Sequence, residues 1–105
     1  MIVTIFRSRV KPEAEQEYNQ WAERMSQLAR GMPGYISHKG FAARDGERVT
    51  VVEFENEETL AAWARHPEHA EAKKKGRADF YLEYRTQICS VLRASTFPQP
   101  PARHG

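Results

Sequence analysis

The sequence predicts an α+β domain of the ferredoxin-like type, a four-stranded antiparallel sheet carrying its helices on one face. Three observations predict it. Residues 2–10, 35–55 and 80–92 alternate in the period of strands. Two intervening stretches repeat their apolar residues at helical spacing. The order that results is β-α-β-β-α-β, the split βαβ pattern. With 105 residues the chain makes a single domain, since halves would be too small to bury stable cores.

Along the first stretch, Ile2, Thr4, Phe6, Ser8 and Val10 share one face and Val3, Ile5, Arg7 and Arg9 the other. Both faces begin apolar, as expected of a central strand. Pro12 fits the first turn of a helix, and Glu13 and Glu15 behind it complement the helix dipole. Ala14, Tyr18, Trp21, Ala22, Met25, Leu28 and Ala29 then form an amphipathic stripe, stopped by Gly31, Pro33 and Gly34. Strands are expected over 35–44 and 48–55, joined at Asp45-Gly46 by a two-residue hairpin turn. On the first of these, strict alternation places His38 with Ile36, Gly40 and Ala42.

Asn56 is suited to cap a second helix bearing Glu57 and Glu58 in its first turn and Leu60, Trp63 and Ala64 at helical spacing. Pro67 interrupts it by lacking a donor and by driving His66 out of the α region. A further helical segment runs from there to Gly76. The last strand, 80–92, is about thirteen residues by pattern, longer than the usual five or six. Strict alternation sets Tyr81 and Tyr84 on opposite faces, one toward a cavity and the other toward a partner subunit. Val49, Val51, Phe6, Phe41, Ile88 and Val91 cannot all fit beneath two helices. A homodimer covering the bare sheet face is expected. The domain is expected to span 1–95, with 96–105 a flexible Pro-rich tail.

Composition excludes several classes. A net charge of +2, with basic residues scattered among acids, lacks the basic stripe that nucleic acid requires, and no RNP-type aromatic motif is present. The run Lys73–Lys75 suits a solvated helix C-terminus. The single cysteine, Cys89, rules out an internal disulfide framework and is read as a small packing residue. Residues 1–7 lack the form of a secretion signal, and no stretch is long and apolar enough to span a membrane, so a cytoplasmic location is expected.

In their order and spacing, five features are similar to the antibiotic biosynthesis monooxygenase family of dimeric α+β barrels. They are the element order, Met32-Pro-Gly-Tyr35, Val52-Glu-Phe54, Trp63 with His66-Pro-Glu-His69, and Gly76-Arg-Ala-Asp-Phe-Tyr81. The resemblance covers roughly 1–95 and implies a cavity in each subunit between its sheet and its helices. It also implies cofactor-independent oxygenation, with neither metal nor flavin, of a small aromatic, quinol or anthrone-like substrate by dioxygen. Such chemistry needs a substrate anion that can reduce dioxygen, and hence an aromatic wall, a base near neutrality and an oxyanion donor.

The catalytic candidates are Trp63 and His69. Trp63 matches the family's helix-two tryptophan and is either a wall of the cavity or an anchor of the core. His69 titrates near neutrality and is either the base or an exposed or capping histidine; some anthrone-oxidising relatives have a tyrosine near this point. The substrate-binding candidates are His38, Gly40, Arg77, Tyr81 and His66. Gly40 leaves room for a flat ligand, and His66 competes between the substrate and a local hydrogen bond. Arg77 and Arg7 are oxyanion donors unless ion pairs with Asp79 and Glu53 hold them.

No metal is expected, because His66-x-x-His69 and His38 lack a His-Glu-x-x-His pattern and acidic neighbours. Haem-degrading relatives use an asparagine on strand one and a histidine about ten residues after the tryptophan. Here strand one has no asparagine and Lys73 stands at the second place, which disfavours that activity. Two other readings keep the fold: an isomerase, cyclase or decarboxylase acting on a similar substrate, and a non-catalytic ligand-binding dimer.

Overall fold

A computed structural model describes residues 1–98. The expected tail over 96–105 therefore falls mostly outside the described residues. Strand β1 spans Ile2–Val10, β2 Tyr35–Ala42, β3 Arg48–Phe54 and β4 Tyr81–Ser90. Helix α1 spans Glu15–Arg30, α2 Glu57–Arg65 and α3 Pro67–Lys75. A 3₁₀ turn at Pro12–Ala14 leads into α1, and a π turn at Gly76–Phe80 joins α3 to β4. The sheet order is β2-β3-β1-β4 with every neighbour antiparallel, so β1 is central as its two-faced pattern predicts.

Helices α1 and α2 close over one face of this sheet. Ile2 and Tyr35 pair with Phe54 across the ladder, and Phe54 forms the inner core with Ala29 of α1 and Trp63 of α2. Met25, Leu28, Leu60 and Val52 surround it. From this register, Val3, Ile5, Val49, Val51 and Phe41 share the opposite face. There Phe41 is 53 % exposed. Phe6 and Ile88 lie on the helix-facing side, although Ile88 at the edge strand is 62 % exposed.

The helix boundaries follow the local chemistry. Asn56 Oδ1 accepts from Thr59 N at 2.9 Å while Thr59 Oγ1 reaches back to Asn56 N, a capping box that starts α2. His66 has ψ 129°, outside the α region as expected before proline, and α3 restarts at Pro67.

Four local expectations are corrected. Gly76 does not end the helical path, which continues as the π turn; a Cβ there would lie 2.5 Å from the Tyr81 ring. The hairpin is not a two-residue turn. Ala43 N donates to Glu47 O and Gly46 N to Ala43 O, so three residues form the loop. Only Gly46 has positive φ, at 91°, because Asp45 is held by Arg9 and by Glu47 N. β4 is ten residues rather than thirteen, since Phe80 belongs to the π turn and the strand ends at Ser90, before Val91 and Leu92.

The fourth correction concerns side-chain phase. The pairings Arg9↔Glu83 and Val10↔Tyr81 leave Leu82 as an extra residue, and Tyr35↔Phe54 with Ser37↔Glu53 leaves Ile36 extra. Each bulge reverses the alternation beyond it. Tyr81 therefore joins Tyr84 on the helix-facing side, where both rings meet Phe6, at 5.5 and 5.6 Å between centroids. Likewise Tyr35, not Ile36, shares a face with His38.

Candidate active site

Proline placement and stacking build the first cluster. The break at Pro67 folds α3 back so that the His69 imidazole stacks on the Trp63 indole, with centroids 4.1 Å apart and planes 11° from parallel. His66 lies tilted on the same indole at 5.8 Å. His69 Nδ1 stands 3.0 Å from the Trp63 carbonyl oxygen. A carbonyl only accepts, so the proton sits on Nδ1 and Nε2 keeps the lone pair. Burial pushes this imidazole below its ordinary value of 6.5; the bond to Trp63 opposes the shift, and Lys73 and His66 add to it. The result is a neutral imidazole whose basic Nε2 has no hydrogen-bond partner among the described residues. Trp63 itself is 6 % exposed and sits in the core, so the imidazole is the outer leaf of the stack.

His66 is occupied differently. Its Nδ1 accepts from Glu68 N at 3.2 Å and caps α3. Glu68 in turn takes a paired contact from Arg24 at 2.9 and 3.0 Å, which ties α3 to α1.

A second cluster holds His38. Its Nδ1 meets Tyr35 Oη at 2.7 Å and its Nε2 meets Ser26 Oγ, joining β2 to α1. Burial, and then the Arg30 charge, depress its pKa. Tyr35 sets its ring edge-on to Phe54. Sequence reasoning missed Tyr35 and Ser26, because the Ile36 bulge that brings Tyr35 to this face leaves no period-two signal.

Tyr81 belongs to a third cluster with Phe6, Tyr18 and Tyr84. Burial raises the Tyr81 phenol well above its ordinary value, assisted by Tyr18, so it is a neutral donor at physiological pH. Arg48 lies over the Tyr18 ring at 5.2 Å and pairs with Glu15 at 3.0 Å. Gly40 and Arg77 stand exposed, Gly40 with open space above it. The expected ion pairs are exchanged: Arg7 grips Glu47 at 2.9 and 3.1 Å on the face away from the helices, and Asp79 pairs with Lys75 at 2.9 Å. Glu53 accepts from Ser37. One further group was not foreseen. Thr4 Oγ1, on the helix-facing side of β1, is buried and has no hydrogen-bond partner among the described residues.

The histidines thus fall into two separate clusters. Among the described residues, no group of three or more His, Cys, Asp or Glu side chains is placed to hold a metal ion. Two surface clefts, of about 410 Å³ beside Met1 and Asn56 and about 310 Å³ beside Arg7 and Tyr84, lie outside both histidine clusters. No helix among the described residues is long and apolar enough to cross a membrane.

The four-stranded antiparallel βαββαβ layer is a ferredoxin-like α+β fold that many solved structures share. SnoaB of Streptomyces nogalater, described as a cofactor-independent oxygenase, matches with a TM-score of 0.76 and 16 % identity, over 93 % of this chain and 97 % of that one. Rv0793 of Mycobacterium tuberculosis matches with a TM-score of 0.81 and 16 % identity, over 90 % and 98 %. In sequence, the protein YqjZ of Bacillus subtilis (strain 168) is 34 % identical over 92 residues, 88 % of this chain and 81 % of that protein. The model of the antibiotic biosynthesis monooxygenase family matches residues 1–75. The chain belongs to that family.

Proposed function

We propose that the protein is a cofactor-independent monooxygenase that acts as a homodimer on small, flat aromatic, quinol or anthrone-like substrates. The observation that carries this reading is His69, neutral, half-buried, stacked on Trp63 and presenting Nε2 as its one free basic atom. A base of this kind removes the acidic proton of an anthrone-like carbon or of a phenol. The carbanion or phenolate then reduces dioxygen. Collapse of the resulting hydroperoxide leaves one oxygen as a new carbonyl and the other as water. Trp63 fixes the plane of the base, and its flat partner suits a flat substrate laid against the outer imidazole face.

The family and the fold likeness to SnoaB support the reaction class. The buried Thr4 hydroxyl supports a ligand in the helix–sheet layer, since an unpaired buried hydroxyl is unfavourable until something polar meets it. Tyr81 serves there as a neutral hydrogen-bond donor. Of the remaining candidates, Gly40 and Arg77 lie at the open margin and His38 belongs to its own cluster. His66 acts as the cap of α3.

The test is oxygen uptake by chelator-treated protein with anthrones and dihydroxynaphthalenes. Uptake that survives chelation and drops about 100-fold or more in His69→Ala supports the base. Substrates that bind without uptake would turn the reading to an isomerase or a ligand-binding dimer. The deep burial of Trp63 favours the second of these.

A further inference from the structure

The Ser26–His38–Tyr35 chain has no part in the oxygenase reading. Both nitrogens of His38 are engaged by hydroxyls, Nε2 by Ser26 and Nδ1 by Tyr35, and all three side chains are half-buried. Two proton arrangements satisfy the chain. In one, Nδ1 donates to Tyr35 Oη and the Ser26 hydroxyl donates to Nε2. That arrangement places a serine hydroxyl on a neutral base whose other nitrogen is oriented by a third group, the pattern of an activated nucleophile.

The surroundings favour acyl chemistry on a small scale. Arg30 stands four residues after Ser26 on α1, on the same helix face, and its charge reaches His38. It is a cation at hand for a developing oxyanion. Gly40 follows His38 on the same face of β2, with open space where a Cβ would stand. Ala22, one turn before Ser26, is small and exposed. The ground beside the serine is therefore open and floored by small residues, which suits a short acyl group.

We propose that Ser26 is an acyl-accepting nucleophile with His38 as its base and Tyr35 as a positioning residue, giving the chain an esterase activity toward short-chain activated esters. Ser26 Oγ bonds to the ester carbonyl carbon as its proton passes to His38 Nε2. The ester C–O bond then breaks, and His38 returns the proton to the departing alkoxide. Water repeats the sequence on the acyl-serine and releases the acid, so no oxidant or reductant is consumed.

The test uses the full chain with 4-nitrophenyl acetate, following nitrophenol release and mapping the acetylated peptide by mass. The expected result is acetyl on Ser26 of the unaltered chain. Ser26→Ala and His38→Gln should slow release about 100-fold, and Ser90→Ala should leave it unchanged. Tyr35→Phe keeps the ring against Phe54; it should lower kcat about tenfold with KM retained and move the midpoint of the pH profile. Acetyl on lysine or on another histidine, release that Ser26→Ala leaves intact, or no acetylation at all would each overturn the proposal. Because the acetyl group is mapped on the unaltered chain, the test does not depend on whether any variant folds.

Discussion

His69 and His38 are held neutral by burial, and that has a thermodynamic consequence. Their folded pKa values lie below the ordinary 6.5, so the unfolded chain binds more protons as pH drops beneath 6.5. The stability present above 6.5 is lost as pH falls from there through the depressed values. Thermal melts at pH 7.5 and 5.5 should show it, and His69→Asn or His38→Gln should each flatten the dependence; a melt unaffected by pH in both variants and parent would refute it. Trp63→Ala removes the centre of the Ala29–Phe54–Trp63 cluster and the support of His69. It should cost about 3–5 kcal/mol in urea unfolding. At this scale much was legible. Trp63 and His69 could both be singled out, and the break at Pro67 between them, but not that the two rings stack. What was not legible was the indole's place inside the core, because spacing cannot say which leaf of a stack faces outward.

Between elements, the capping box and the π turn carry separable free energies. Asn56→Ala leaves Thr59 N without its acceptor and should destabilise by about 1 kcal/mol. Gly76→Ala poses a sharper contrast. Helix propensity alone predicts a gain of up to about 1 kcal/mol, yet the new methyl would meet the Tyr81 ring at 2.5 Å. The variant should therefore lose stability, and adding Tyr81→Ala should recover part of the loss, a coupling that a double-mutant cycle measures. The number and order of strands, the helix starts at Pro12 and Asn56, and the break at Pro67 could all be read from residue types with fixed backbone preferences. The two bulges could not. Ile36 and Leu82 are ordinary strand residues, and only the ladder shows them to be supernumerary. Missing them set Tyr35 on the wrong side from His38 and Tyr81 on the wrong side from Tyr84.

At the scale of the molecule, five apolar side chains among the described residues are fully inside: Ile2, Ala29, Phe54, Trp63 and Phe80. The four large ones each contribute about 1.5–3 kcal/mol by burial and Ala29 about 0.8 kcal/mol, a thin core for this length. The face bearing Val3, Ile5, Phe41, Val49 and Val51 is the natural reserve, and the proposed homodimer would bury it and so add to this core. Sedimentation should give a dimer at micromolar concentration, with a melting temperature that rises with protein concentration. Phe41→Glu should shift the species toward monomer and remove that concentration dependence; a concentration-independent monomer in the parent would defeat the argument. The ion pairs rimming this face, Arg7–Glu47 and Arg9 with Asp45 and Glu83, are too exposed to add much stability of their own.

The extra residue in β4 also bears on how such a chain can change by descent. Leu82 is 65 % exposed, so exchanging it for another side chain should be nearly silent. Losing its codon is another matter. Without it Glu83 would follow Tyr81 directly, the bulge and the bend it puts in the strand would be lost, and Tyr81 would stay opposite Val10 on the helix-facing side but leave the strand end at a different angle. At this position the informative variable is the count of residues rather than their kind.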